Sequence, residues 1–334
     1  MNPTIAVSMG DYNGIGPEVA LRHISKMTFS ESSPLFIGHE SVFNFYSDML
    51  GYRIPSRIIT GPEQIEPGIV NIWNSSDDEE IDIIPGMNSK NAGAAAMKAV
   101  EAGIDFCLNG YCDALVTSPI SKEAIHKAGY DVPGHTEFLA EKTSTDNYMM
   151  ILVSGNLRVG LVTGHIPVKD VSSNINSSLI LKQIQTLHKS LNHDFGIIEP
   201  KIAVLGLNPH AGDGGILGRE EIELITPAIR KANAENITAE GPFPADGFFG
   251  NRMYEKFDAI LAMYHDQGLI PFKTLSFGTG VNFTAGLPII RTSPDHGTAF
   301  GIAGMKKADG QSFTAAYNLA EKMAVNRARS ETNG

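Results

Sequence analysis

Along the chain, short apolar runs alternate with longer stretches in which apolar residues recur every three or four positions. The runs at 4–9, 34–37, 69–73, 114–117, 148–153, 158–163, 201–207 and 258–263 are too short for helices and predict strands. Helical periodicity covers 89–103, 121–128, 136–143, 174–190, 219–234 and 312–328. Pro17 suits the first turn of a further helix, because its missing N–H is not needed there. Strands alternating with helices predict the α/β class, with mostly parallel sheets under covering helices. The length, 334 residues, suggests two domains around a cleft, and no Pro-, Gly- or Ser-rich linker separates them. The seam is placed near residue 135: 1–135 plus 300–334 form the first domain. Residues 136–299 form the second, which carries most of the candidate metal and phosphate residues.

Composition narrows the classes of function. The net charge of −11 repels phosphate backbones and anionic lipid, so neither nucleic acid nor membrane is an expected partner. Two cysteines, Cys107 and Cys112, are too few for a disulfide framework and read as partly buried thiols. The N-terminus carries no basic segment ahead of an apolar run, and the expected location is the cytoplasm. The acidic run 77–80 reads as a solvated loop.

In α/β sheets ligands collect at the carboxyl ends of strands, so the residues just past each strand carry the chemistry. Three strands end in histidine: Thr163-Gly164-His165, then Asn208-Pro209-His210, then Tyr264-His265-Asp266. Neutral imidazoles bind zinc and related divalent ions, and three of them leave a position open for substrate. Singly, each is better explained as a hydrogen-bonded loop residue than as a ligand, and the intervals between them match no local signature. His23, His39, His126, His188 and His193 read as surface residues. Gly134-His135-Thr136-Glu137 opens a helix whose first N–H groups suit either an anion or a side-chain cap. Lys273, Asn282 and Arg291, at nine-residue intervals in extended-looking segments, form a candidate phosphate clamp. Gly10 to Glu18 follows a strand and opens a helix, but it lacks the third glycine of a dinucleotide fingerprint and reads as a tight turn. Gly212 to Gly215 reads as a flexible support for His210.

Several long segments then converge. MGDYNGIGPE (9–18), TSPISKEAI (117–125), GHTEFLAE (134–141), LNPHAGDGG (207–215) with GREE (218–221), GPFPAD (241–246), YHDQGL (264–269) and GLPIIRTSPDHGTA (286–299) together resemble the 4-hydroxythreonine-4-phosphate dehydrogenase family of pyridoxal phosphate synthesis. The resemblance implies a fold like isocitrate and isopropylmalate dehydrogenases, two α/β/α domains flanking a cleft, in a homodimer that shares its active site. It implies metal binding by His165, His210 and His265, one of them from the partner subunit. It implies substrate contacts from His135, Thr136, Lys273, Asn282 and Arg291, and cofactor contacts from Gly286, Asp295 and His296. Tyr12-Asn13, Gly247 and Gly301 depart from the family pattern as Pro-Ala, Thr and an acidic residue are usual there. Those departures leave open D-threonate or D-erythronate 4-phosphate as the substrate.

The chemistry so implied is oxidative decarboxylation of 4-phosphohydroxy-L-threonine by NAD, with NADP as the alternative, and a divalent metal (zinc, magnesium or cobalt). The metal would lower the pKa of the substrate hydroxyl and then stabilise an enolate. Asp246 and Asp266 are the candidates for the proton acceptor, and orienting a ligand is their simpler role. Two readings of other classes stay open on the residues alone: a metal-dependent binding protein without catalysis, and a hydrolase using a zinc-bound water.

Overall fold

The structure is a computed structural model that describes residues 2–76 and 81–333; the acidic run 77–80 lies outside the described residues. Its strands are β1 (Thr4–Ser8), β2 (Ser33–Gly38), β3 (Ser56–Ile59), β4 (Val70–Asn74), β5 (Ala114–Thr117), β6 (Met149–Ser154), β7 (Leu157–Leu161), β8 (Ile202–Leu205), β9 (Ala239–Phe243), β10 (Ala259–Ala262), β11 (Val281–Ala285) and β12 (Arg291–Pro294). The fold is α/β. The chain divides into two units, Met1–Asp146 with Leu287–Val325, and Asn147–Gly286 with Asn326–Gly334.

The first unit orders its strands β3-β4-β2-β1-β5-β12, all paired in parallel. A parallel sheet needs cover on both faces, and its strands accordingly read as continuous burial: every residue of β2, β5 and β12 is buried. The helix Lys90–Leu108 lies close against the sheet because a Cβ on Gly103 would meet Leu115 Cδ1 at 2.6 Å. The expected seam near 135 and return at 300 differ from these bounds for a packing reason. The helix His135–Lys142 is tied to the first unit by the Lys142–Glu101 ion pair and by Phe138 stacking edge-on to Tyr130. β12 returns to the same unit because Arg291 and Thr292 register with Leu115 and Val116 of β5.

The second unit orders its strands β11-β6-β7-β10-β8-β9. β6 pairs antiparallel with β11 and β7, while β7, β10, β8 and β9 run parallel. Val159, Leu161, Ala203, Leu205, Ile260 and Ala262 form its core with Phe248, Leu269 and Phe272. Each parallel strand therefore delivers its carboxyl end to the same edge of this unit, and that edge holds the three histidine loops.

Where elements were not foreseen, tertiary contact outweighs local preference. β12, Arg-Thr-Ser-Pro, has no apolar run, yet it is fully buried. The helix His265–Ser276 contains Gly268 and Pro271, both poor helix formers. Gly268 is needed there, since a Cβ would meet Val159 Cγ1 at 2.8 Å. Lys273 consequently sits on a helix and not on the extended segment expected for it. His23 and His39, expected on the surface, are buried: His23 packs 4.5 Å from Tyr317, and His39 caps the helix Glu40–Leu50. Cys112 is buried and Cys107 half-buried, and neither is in a disulfide. No helix among the described residues is long and apolar enough to cross a membrane.

Candidate functional site

In the second unit, the exits of β7 and β10 are stitched together. Val162 N donates to Ala262 O at 2.8 Å, and both the amide and the hydroxyl of Thr163 donate to Met263 O, at 3.2 and 2.7 Å. The stitch brings His165 and His265 to a ring separation of 5.7 Å. His265 Nδ1 lies 2.8 Å from Asp266 Oδ1, which sets the ring's orientation and leaves Nε2 for a ligand. Gln267 reinforces the arrangement, accepting from Met263 N at 2.7 Å and donating to Gly206 O at 2.6 Å. A cavity of about 310 Å³ opens there, lined by both histidines, Tyr264 and Asp266.

His210 is held differently. It lies in the turn Pro209–Gly215, where five successive residues, His210 to Gly214, have φ between 43° and 81°. Left-handed backbone costs roughly 1–2 kcal/mol for each non-glycine residue, and three of these are not glycine. Something must over-determine the turn. Buried Glu221 does: Oε1 accepts from the amides of Leu207 and Asn208 at 2.8 and 2.7 Å, and Oε2 accepts from Asn208 Nδ2 at 3.0 Å. The loop expected as a flexible support is thus an anchored turn. His210 does not join the other two histidines, for among the described residues no group of three His, Cys, Asp or Glu side chains closes on one point.

In the first unit the polar centre is buried. Arg291 begins β12 and is 3% exposed; its Nε and one Nη donate to Thr117 Oγ1 at 3.0 and 2.7 Å. Burial lowers the guanidinium to about 10, opposed by the charge of Glu137. His135 opens the helix His135–Lys142 with no side-chain cap at Gly134, so the capping alternative is not what the helix start uses. Burial, then the neighbouring Arg291, push His135 well below the usual histidine range, so its ring is neutral. Its Nε2 is buried without a hydrogen-bond partner among the described residues. Thr136 is half-buried beside it. A fixed cation, a neutral imidazole and the open N–H groups of a helix start make a site suited to an anion.

The turn after β1 is structural. Gly10 has φ 69°, and a Cβ on it would meet Pro119 O at 2.5 Å. Residues Gly16 to Ala20 of the following helix are all buried. Asp11 beneath the turn is fully buried, and burial pushes its carboxyl up to about 6 against the lowering pull of the Asn13 and Gly14 amides.

Lys273 is exposed and Asn282 half-buried, in the second unit. Asp246 is exposed on the short helix Ala245–Gly250. Gly286 turns with φ 91°, and a Cβ there would meet Asn147 O at 2.4 Å. Asp295 N donates to Ser312 Oγ at 3.0 Å, and His296 Nδ1 is 3.1 Å from Gly297 O. Thr117 and Glu221 were not singled out from sequence, although both fall in segments, TSPISKEAI and GREE, that carry the resemblance.

The model of the pyridoxal phosphate biosynthetic protein PdxA matches residues 30–320. The 4-hydroxythreonine-4-phosphate dehydrogenase of Prosthecochloris aestuarii is 46% identical, over 97% of this chain and 98% of its own. A crystal structure of the Klebsiella pneumoniae 4-hydroxythreonine-4-phosphate dehydrogenase superposes with a TM-score of 0.86 at 37% identity, covering 97% of this chain and 98% of that one. A β-decarboxylating dehydrogenase from Thermococcus kodakarensis, 14% identical with a TM-score of 0.51, shares the fold; the overlap covers 96% of this chain and 83% of that one.

Proposed function

The chain belongs to the family of the pyridoxal phosphate biosynthetic protein PdxA, and we propose from that premise that it converts 4-phosphohydroxy-L-threonine and NAD to 3-amino-2-oxopropyl phosphate, carbon dioxide and NADH. The relatives it matches over 97% of its length are named 4-hydroxythreonine-4-phosphate dehydrogenases, and the D-threonate and D-erythronate alternatives are not favoured. The single structural observation behind the reading is Arg291, a buried guanidinium beside a neutral imidazole, as a terminal phosphate requires.

Arg291 binds the substrate phosphate; Lys273 and Asn282 are the further phosphate candidates. His135 and Thr136 meet the rest of the substrate, His135 as a neutral donor or acceptor. Gly286, Asp295 and His296 contact the nicotinamide cofactor, NAD in preference to NADP. His165 and His265 fit one side of a divalent-metal site: two imidazoles 5.7 Å apart, one already oriented by a carboxylate, are a donor set of the right chemistry. With zinc, magnesium or cobalt bound, these residues would place Lewis-acid charge near the substrate hydroxyl. Asp266, engaged by His265, serves to orient that ring, and Asp246 is the acid–base candidate for the hydroxyl proton.

His210 completes the set from a second copy of the chain. Ile216, Leu217 and Ile222 adjoin its turn, and Ile270 and Phe277 lie on or just past the helix of His265; all are exposed, Ile216 and Phe277 at 80% and 87%. Apolar surface of that kind beside a functional loop is covered by a partner, and a twofold dimer covers both patches with one contact. We infer on this ground a homodimer with a shared site; the acidic net charge supports a cytoplasmic enzyme without nucleic-acid or membrane partner.

A panel of phosphorylated hydroxy acids scored by NADH formation and carbon dioxide release tests the assignment. The expected outcome is preference for 4-phosphohydroxy-L-threonine. A higher specificity for D-threonate 4-phosphate would move the chain to a paralogous activity, and hydrolysis without NADH would overturn the dehydrogenase reading.

A further inference from the structure

We propose that Thr117 is a positioning residue for anion recognition, its hydroxyl fixing the plane of the Arg291 guanidinium before substrate arrives. The proposal rests on the reading of Arg291 as the phosphate ligand. It follows from the way two strands of the first unit meet. β5 and β12 pair in parallel with Arg291 opposite Leu115. Side chains alternate faces along a strand, so Leu115, Thr117 and Arg291 lie on one face of the sheet. The long arginine side chain then runs forward along the strands to the residue that ends β5. Nε and one Nη converge there on a single oxygen, Thr117 Oγ1, at 3.0 and 2.7 Å, with Thr117 fully buried and Arg291 nearly so.

Three features make this a device for holding a cation ready. First, a hydroxyl oxygen has two lone pairs and matches the two N–H groups of one guanidinium edge. Second, that acceptor is neutral, so it orients the fork without cancelling the charge an anion must feel; a carboxylate in its place would compete with the ligand. Third, threonine is stiff at χ1, and burial leaves its hydroxyl little freedom to swing away. An arginine so held forfeits less side-chain freedom when the anion binds, which is where preorganisation improves affinity. Thr117 touches neither substrate nor cofactor in this account; it acts through Arg291.

The test compares Thr117→Val, Thr117→Ser and Arg291→Ala with the unmodified enzyme, all carrying metal and NAD. Thr117→Val keeps the shape and removes the hydroxyl. It is expected to raise KM for the phosphorylated substrate about tenfold, the lower end for loss of a charge-assisted hydrogen bond, with kcat changed less than about threefold. The inhibition constant of inorganic phosphate should rise in step, and Thr117→Ser should restore both. The melting temperature without ligand should fall by a few degrees, as two buried N–H groups lose their acceptor, and the shift produced by inorganic phosphate should shrink as well. Thr117→Ala repeats the measurement if valine prevents folding. An unchanged KM and phosphate response in Thr117→Val, with Arg291→Ala impaired, would overturn the proposal and leave the phosphate reading standing. An Arg291→Ala enzyme that binds inorganic phosphate normally would overturn both. Loss of kcat alone, or a failure of serine to rescue, would make Thr117 merely structural and also overturn it.

Discussion

The polar residues of the two units are held in opposite ways. In the first unit Arg291 is enclosed between strands, held by a buried hydroxyl and flanked by a neutral histidine. In the second, His165 and His210 are exposed on loops past the sheet, and only backbone stitching and one buried carboxylate set their positions. The difference is chemical. A guanidinium stays charged even when burial opposes it, so it can be stored inside a sheet and offered to an anion without losing its function. An imidazole at the surface gains its precision from the backbone beneath it.

The largest expected effect breaks the second region. His210→Ala should abolish turnover, by roughly a thousandfold or more, while the melting temperature stays within a few degrees because His210 lies outside both cores. Mixing His210→Ala chains with His265→Ala chains and allowing subunit exchange should restore part of the activity. Full activity in metal-free His210→Ala enzyme would end the metal reading, and absence of any restoration would end the shared site.

The next effect belongs to the first region and is read in stability. Asp11 has a folded pKa near 6 against an unfolded value of 3.8. The folded state therefore keeps its proton as pH rises while the unfolded chain loses it, and stability falls between about pH 4 and pH 6. A shift of roughly two units corresponds to about 3 kcal/mol for so buried a group. Asp11→Asn retains the bond from Asn13 N and should remove that part of the fall. Urea unfolding at pH 4 and pH 7 checks it: identical pH slopes in the two proteins would refute the buried-carboxylate account.

The smallest effect tests how the histidine turn is held. Glu221→Ala frees the amides of Leu207 and Asn208 from their acceptor and should weaken metal binding about 10- to 100-fold, as loss of supporting ligands does. Isothermal titration with zinc measures it directly, and affinity equal to that of the parent would show that the turn holds itself. Glu221→Gln, which keeps one carbonyl acceptor, should fall between.

Local pattern was enough to reveal the class of this fold. Runs of buried apolar residues announce β1, β2, β4, β5, β6, β7, β8 and β10, because a strand covered on both faces must be apolar wherever it lies. The same reading exposed the histidines, since strand ends are where α/β ligands gather, and long segments such as LNPHAGDGG and YHDQGL carried the family. Arg291 read as extended, but the burial and pairing of β12 were illegible: Arg-Thr-Ser-Pro is buried only because β5 lies beside it, and no window of sequence shows that neighbour. The same holds for Thr117, which meets Arg291 across 174 residues of chain, and for Glu221, whose partners are backbone amides with no residue signature. Periodicity records which face of an element is dry. Which polar group stands opposite which is decided only when distant strands and loops are brought together.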